Sequence, residues 1–197
     1  MELMVFLKGN LLALVLLTPD DTSTMQGYMN DHEVTQFLGR DALPMYAHQE
    51  KAWLESLPKE GHLVLGIWHR SDEKLIGSCG LHGIDYLNQL AELGILIGDK
   101  DYWNGGCGTE AVQLLCAHGF NWLNLRHITL RVLGNNPRGV RCYERCGFVR
   151  TGVIPGHVLK AGQWHDEIHM LLTKETLTLT RSSEMETKIA HMAENSR

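Results

Sequence analysis

The sequence predicts a mixed α/β layer fold, with one central sheet covered by helices. Three observations carry this. Strand-like apolar runs and helical periodicities alternate in the order strand, helices, three strands, helix, strand, helix, two strands. The three middle strands are joined by short turns and read as an antiparallel meander. The connection through residues 109–123 is long enough to be a crossover, so the strands on either side of it can be parallel.

Each element has a local reason. Residues 11–17 are an uninterrupted apolar run suited to a strand. Thr18 can cap a helix, Pro19 fits its first position, and Asp21 completes an approximate capping box. That helix runs to about Met29, where Asn30 and Asp31 break it. Residues 44–57 suggest another helix carrying Trp53 and Leu54, ended by Pro58. Residues 62–69 are strand-like, and Ser71, Asp72 and Glu73 mark a hairpin turn. Residues 75–84 form a glycine-interrupted strand, 87–89 a connection and 91–98 a further strand. Then the period changes: residues 109–123 place Val112, Leu115, Cys116 and Gly119 on one side of a helix. Residues 127–133 alternate loosely as a strand. Residues 137–146 form a helix opened by Pro137 and ended by Gly147, and 148–153 and 167–172 are two closing strands. The chain after Lys174 is polar, and residues 183–192 read as a peripheral helix or a frayed tail.

Composition narrows the function. A chain of 197 residues suits one domain, and 44 % apolar with 21 % charged residues excludes a collagen, a heptad rod and a mostly disordered chain. Lys and Arg number 18 against 23 Asp and Glu, so no broad nucleic-acid footprint is expected. An amine-bearing partner suits this charge better than an anionic one. A phosphate-bearing ligand would need local neutralisation. Five cysteines, an odd number without a CxxC, argue against a disulfide scaffold and for the reducing cytoplasm. Cys142 and Cys146 would share a helix face, but no ligands of matching spacing accompany them, and no metal site is expected. The apolar start is interrupted by Glu2, Lys8, Gly9 and Asn10. The run that follows is too short to span a bilayer, so neither a membrane partner nor a signal peptide is expected.

Chemistry concentrates in two segments. The first is the run Asp101, Tyr102, Trp103, Asn104, Gly105, Gly106, Cys107, Gly108, Thr109, Glu110, Ala111, which leaves a strand and enters a helix. Its glycines let the backbone turn tightly. The helix start adds unpaired N–H groups and partial positive charge. Such a turn can cradle a pyrophosphate without a Lys/Arg cluster, which answers the charge problem. It lacks the Gly-Lys-Ser/Thr ending of a P-loop and the third glycine of a dinucleotide fingerprint. The second segment runs from Asn135 and Asn136 through Pro137, Arg138, Tyr143 and Cys146 to Gly147 and Phe148, and again follows a strand and opens a helix.

The pair resembles the GCN5-related N-acetyltransferase (GNAT) superfamily, and more narrowly its ribosomal-protein-alanine acetyltransferase-like branch. The first segment resembles the superfamily's acetyl-CoA loop, and the second its asparagine, helix, tyrosine and Gly-Phe signature. Residues 11–53 and the run from His165 to Met170 also resemble that branch. The resemblance spans about residues 8–175, taken as the acetyltransferase domain, with 176–197 as a polar tail. It implies a largely antiparallel sheet of about seven strands, splayed near residues 95–98, with acetyl-CoA as cosubstrate. The pantetheine arm would lie along Ile95, Leu96 and Ile97. The pyrophosphate would sit on Trp103, Asn104, Gly105, Gly106, Cys107, Gly108 and Thr109. Asn136 would hold the arm or the loop, and Arg138 would approach a phosphate. Trp103 departs from the Gln or Arg common in the superfamily.

The resemblance also implies roles. Tyr143 would protonate the departing thiolate. Glu92, on one strand face with Gly94, Leu96 and Gly98, resembles the general base of several members, with His82 and Asp85 as alternatives. Direct attack is expected over a ping-pong route through Cys107, Cys142 or Cys146. Acceptors would be a protein N-terminus, a polyamine, an amino sugar or aminoglycoside, selected by residues 25–57 and 84–91. Trp53 and Trp68 read as pocket or core residues. Two other readings compete: a non-catalytic acyl-CoA-binding regulatory module and a nucleotide-dependent transferase. A monomer or a homodimer joined through terminal strands is expected.

Overall fold

Eight strands form one continuous sheet in the computed structural model, which describes residues 3–39 and 43–179. The first five are a meander: β1 (Val5–Lys8), β2 (Leu12–Val15), β3 (Leu63–His69), β4 (Lys74–Asp85) and β5 (Leu90–Ile97). Three helices interrupt it: α1 (Thr22–Asn30), the short α2 (His32–Thr35) and α3 (Ala47–Glu55). Then come α4 (Cys107–Asn121), β6 (His127–Leu133), α5 (Pro137–Cys146), β7 (Val149–Lys160) and β8 (Gln163–Leu172). The spatial order is β1-β2-β3-β4-β5-β6-β8-β7. Every neighbouring pair is antiparallel except β5 and β6, joined by the α4 crossover. The mixed, largely antiparallel layer fold is therefore as expected.

Local chemistry explains most element ends. Thr18 donates its N–H and hydroxyl to Asp21 Oδ2, at 2.8 and 3.1 Å, and Pro19–Asp21 winds as a 3₁₀ turn into α1. Asp31 ends α1 and immediately caps α2 by accepting from the Glu33 N–H. Gly147 stops α5 with φ of 98°, where a Cβ would lie 1.7 Å from the Thr176 carbonyl oxygen. The chain after β8 runs back beside α5: the Thr178 N–H donates to the Cys146 carbonyl, and Leu177 packs on the core.

The core lies between the sheet and α4. Leu12, Leu14, Leu65, Ile67, Leu81, Ile128 and Leu115 are fully buried there. Each such side chain contributes roughly 1.5–3 kcal/mol relative to exposure. Helix α1 covers the opposite face: Tyr28 occupies the space where a Cβ on Gly98 would be, and its hydroxyl donates to the Leu75 carbonyl. Alternation places Gly98 on the face of Glu92, Gly94 and Leu96, so that face stays shallow beyond α1.

Three expectations need correction. The strand count is eight rather than about seven, because Val5–Lys8 pairs with β2 as an outer strand. Its Val5 and Phe6 are exposed, so no buried periodicity announced it. Leu11 belongs to the hairpin turn, not to the strand, and its N–H donates to Glu110 of α4. The closing strands are far longer than residues 148–153 and 167–172, forming one hairpin from Val149 to Leu172. A register shift between Ile154 and Val158 absorbs Pro155 and Gly156, which as residue types suggest a break. The expected tail helix at 183–192 lies outside the described residues.

Replacing Gly147 with Ala should lower stability by at least about 1–2 kcal/mol from the left-handed backbone alone, with the Thr176 clash adding to it. Thermal unfolding should show the melting temperature falling by several degrees.

Candidate functional site

The parallel ladder between β5 and β6 is short. It pairs Leu90 with His127, Ala91 with Ile128 and Glu92 with Thr129, and then stops. From Leu93 to Ile97, β5 stays bonded to β4 but has left β6. A cleft of about 810 Å³ opens in the gap, lined by both strands, the start of α4, and α5. The splay expected near residues 95–98 is thus present, beginning just past Glu92.

At one end lies the glycine turn. Gly106 has φ of 89° and precedes α4. The first bond of the helix runs from the Glu110 N–H to the Gly106 carbonyl, so the N–H groups of Cys107, Gly108 and Thr109 have no acceptor within it. A Cβ on Gly108 would meet Cys142 Sγ at 3.6 Å, at the contact of α4 with α5. Glu110 does not line the cleft: its carboxylate accepts from the Asn10 and Leu11 N–H groups of the β1–β2 turn.

Two side chains far apart in sequence meet over this turn. Trp103 donates its ring N–H to the Ile97 carbonyl at 2.8 Å, capping the free end of β5. The Arg138 guanidinium stacks 3.5 Å from the Trp103 ring centre and lies 5.8 Å from the Phe37 ring. Partial burial lowers the pKa of Arg138, yet the group remains a cation. Arg141 and Arg145 also line the cleft. Backbone donors, a helix start and a rail-held guanidinium form a site fit for a pyrophosphate.

Of the residues selected from sequence, Glu92, Ile95, Leu96, Ile97, Trp103, Asn104, Gly106, Gly108, Thr109, Asn136, Arg138 and Tyr143 all line the cleft. Gly105 and Cys107 do not. Gly105 faces solvent, and Cys107 turns its side chain into the core at 3 % exposure. Burial, with Glu110 second, raises the Cys107 thiol pKa. Asn136 caps α5 by accepting from the Gly139 N–H at 2.9 Å, which commits one lone pair of its amide oxygen.

Tyr143 stands at the inner end of the cleft, edge-on to Phe148 at 5.9 Å. Burial raises its phenol pKa well above the usual range, and the thiols of Cys142 and Cys146 add to the effect. Those thiols are themselves coupled. A hydrogen bond from Cys146 lowers Cys142, helped by the Thr109 hydroxyl, while Cys146 is raised. Glu92 accepts from Arg131 Nε at 2.8 Å. His82 faces Glu92 across the β4–β5 ladder, and its ring meets His62, with 3.3 Å between the two Nδ1 atoms. Burial, then His62, lowers the His82 pKa, so it is held neutral. Asp85 is not available as a base: it accepts from Leu87 N–H, Asn88 N–H and the Asn88 side chain in the β4–β5 turn. His165 sits near Asn135, and Trp53 and Trp68 lie away from the cleft.

Sequence reasoning missed Arg131, His157 and Glu167, which also line the cleft. Arg131 had a readable signal, since it alternates with Thr129 and Leu133 along β6. Among the described residues, no group of three or more His, Cys, Asp or Glu side chains could hold a metal ion. No helix among them is long and apolar enough to cross a membrane.

Residues 12–149 match the acetyltransferase (GNAT) domain model. The chain belongs to the GNAT family. This acetyltransferase is 27 % identical over 166 residues to the uncharacterized N-acetyltransferase p20 of Bacillus licheniformis, covering 79 % of this chain and 88 % of that protein. It is 32 % identical over 102 residues to a spermidine N(1)-acetyltransferase of Vibrio cholerae, covering 52 % and 58 % of the two chains. The crystal structure of the Vibrio cholerae spermidine N-acetyltransferase with CoA and spermine superposes with a TM-score of 0.77. Identity there is 22 %, and coverage is 85 % of this chain and 98 % of that one. The GNAT enzyme described here is an acetyl-CoA-dependent N-acetyltransferase acting on an amine acceptor. Catalysis sets aside the reading as a non-catalytic regulatory module, and acetyl-CoA is the phosphate-bearing ligand that the cleft's cradle fits.

Arg138→Ala should raise the Kd for acetyl-CoA about tenfold, by removing a charge-assisted phosphate contact. It should also flatten the salt dependence of binding. Calorimetric titration of both proteins at two ionic strengths reads this, with NADH as a non-binding control.

Proposed function

We propose that this GNAT enzyme acetylates a small polycationic amine of the spermidine type, by direct transfer within a ternary complex. The charge polarity of the cleft carries the reading. Arg138 stands over the cradle against Trp103, while the carboxylates Glu92 and Glu167 line the cleft from β5 and β8, with Arg131 on Glu92 and Lys160 also in the lining. An anionic cosubstrate and a cationic acceptor are thereby drawn to different parts of one groove. The spermidine acetyltransferase among the relatives supports the same choice.

In this reading the backbone of Ile95, Leu96 and Ile97 bonds the pantetheine arm as a missing strand would. The turn from Trp103 to Thr109, with Arg138, holds the pyrophosphate. Glu92 takes the proton that the amine loses, directly or through a water. Arg131 engages its Oε1 and leaves Oε2 for that task. Tyr143 remains protonated in its buried position and donates to the thiolate as the C–S bond breaks. Asn136 fixes the start of α5, and with it the place of Tyr143 about two turns further along the helix. Cys107 lies in the core and Cys146 beneath α4, so neither offers an acetyl-enzyme route.

A protein N-terminus is the second reading. It is favoured by the resemblance of residues 11–53 and 165–170 to the ribosomal-protein-alanine branch. Purified enzyme with acetyl-CoA should release CoA faster with spermidine than with an alanine-starting peptide or an aminoglycoside. Turnover of the peptide alone would move the assignment to the second reading.

Tyr143→Phe should lower kcat with spermidine by roughly a hundredfold or more while leaving the Kd for acetyl-CoA unchanged. The sign of the pH effect follows from burial: a raised phenol pKa puts ionisation above the ordinary 10.0. Below that pH the Tyr143→Phe profile should therefore keep the wild-type shape. An alkaline limb that disappears in the variant would contradict this role.

A further inference from the structure

Glu167 is a buried carboxylate that lines the cleft and has imidazoles as its closest partners. It lies on β8, opposite Leu133 of β6 on one side and Ile154 of β7 on the other. The register sets it on the sheet face shared by Arg131 and His169. It is 8 % exposed and lines the cleft. Its Oε1 lies 3.0 Å from His169 Nε2 and 4.0 Å from His157 Nε2. Among the described residues these imidazoles are its only ion-pair contacts within 4.0 Å. Glu92 differs, because Arg131 meets it directly. Arg131, whose guanidinium is engaged on Glu92, also feels the charge of Glu167, and Lys160 of β7 lines the same cleft. Buried carboxylates are ordinarily paired with a cation. Here the closest partner is an imidazole, and the carboxylate lines the groove.

We propose that Glu167 holds a second, non-reacting ammonium group of the acceptor and so selects for amines with more than one positive charge. The inference rests on the polyamine reading above. Chemistry separates the two nitrogens. The attacking nitrogen must be neutral, and a carboxylate partner favours the charged form of any amine it holds. A nitrogen bound to Glu167 stays an ammonium and does not attack. It anchors the chain so that another nitrogen reaches the thioester beside Tyr143 and Glu92. His169 holds Oε1 of the carboxylate, and His157 flanks it from β7 while lining the cleft itself.

Glu167→Gln keeps the volume and a hydrogen-bonding side chain and removes the charge. Steady-state kinetics are measured for spermidine and for a monoamine of similar chain length, with the acetyl-CoA Kd as the check on folding. The ratio of kcat/KM for spermidine over monoamine should fall about tenfold, carried by KM for spermidine. Glu167→Asp should restore part of that ratio, which a purely structural role would not require. If Glu167→Gln fails to bind acetyl-CoA, Ile154→Lys replaces it. Ile154 is 40 % exposed and pairs with Glu167, so a lysine there supplies a competing cation within the fold and should cause the same selective loss. An unchanged ratio, or equal losses for both amines, overturns the role of Glu167 and leaves the polyamine reading standing. No wild-type turnover of spermidine overturns the polyamine reading, and this inference with it.

Discussion

The short parallel ladder between β5 and β6 is the constraint on which the rest depends. Both strands are committed elsewhere: β5 pairs with β4 from Gly77 and Ile97 inward, and β6 pairs with β8 from Ile128 to Leu133. They can share only three residue pairs before their other partners pull them apart. The separation leaves backbone groups of Leu93–Ile97 facing a gap. Such groups need partners, and water or an extended ligand can supply them. Trp103 already serves one, the Ile97 carbonyl, and thereby ties the end of the open strand to the turn before α4. The cleft and the phosphate cradle are therefore two consequences of one topological event, the crossover from β5 through α4 to β6.

The same event sorts charge. The crossover helix starts at the cleft, so its unpaired N–H groups and partial positive charge are aimed there. Helix α5 adds Arg138 there, its guanidinium held flat against Trp103. The other end is bounded by the middle of β5, β6 and β8, whose solvent-side positions carry Glu92, Arg131, His169 and Glu167. An overall net charge of -5 thus coexists with a local anion site, because the protein supplies the anion's partners mainly as backbone. Glu110 shows the economy of this arrangement. An acidic residue in the first turn of α4 would repel a phosphate if it faced the cleft, but the β1–β2 turn captures it with two N–H groups.

Features fixed within a few residues were legible in the sequence. The glycines before α4, the Asn136 and Pro137 start of α5 and its Gly147 stop are all local devices, and they fall where the residue types place them. Features fixed by register across the sheet were not. Glu167 enters the cleft only because β8 returns between β6 and β7, which no local pattern reveals. Arg138 meets Trp103 only because two separate strand-to-helix turns converge on one cleft. Strand β1 escaped notice for a third reason: an outer strand buries little, so Val5 and Phe6 have no periodicity to display. Asp85 illustrates the converse error, since adjacency to Glu92 made it a candidate base while its hydrogen bonds belong to a turn.

The environment of Tyr143 constrains how protons can move. Burial and two neighbouring thiols hold the phenol in its neutral form, so it is a donor throughout the range in which the enzyme can work. A donor of raised pKa is a weak acid. Complete transfer to a free thiolate, whose ordinary pKa lies near 8.5, would be uphill. Its contribution would then be a hydrogen bond that strengthens as charge grows on sulfur, worth most in a site shielded from water. The phenol cannot also be the sink for the amine's proton, because it is already protonated. That proton needs a separate acceptor at the other end of the cleft. The face of β5 that carries Glu92 is where the fold offers one, and Asp85, the other carboxylate weighed for that place, is spent on its turn. Separation of donor and acceptor by the width of the cleft is what allows one groove to serve both halves of the transfer.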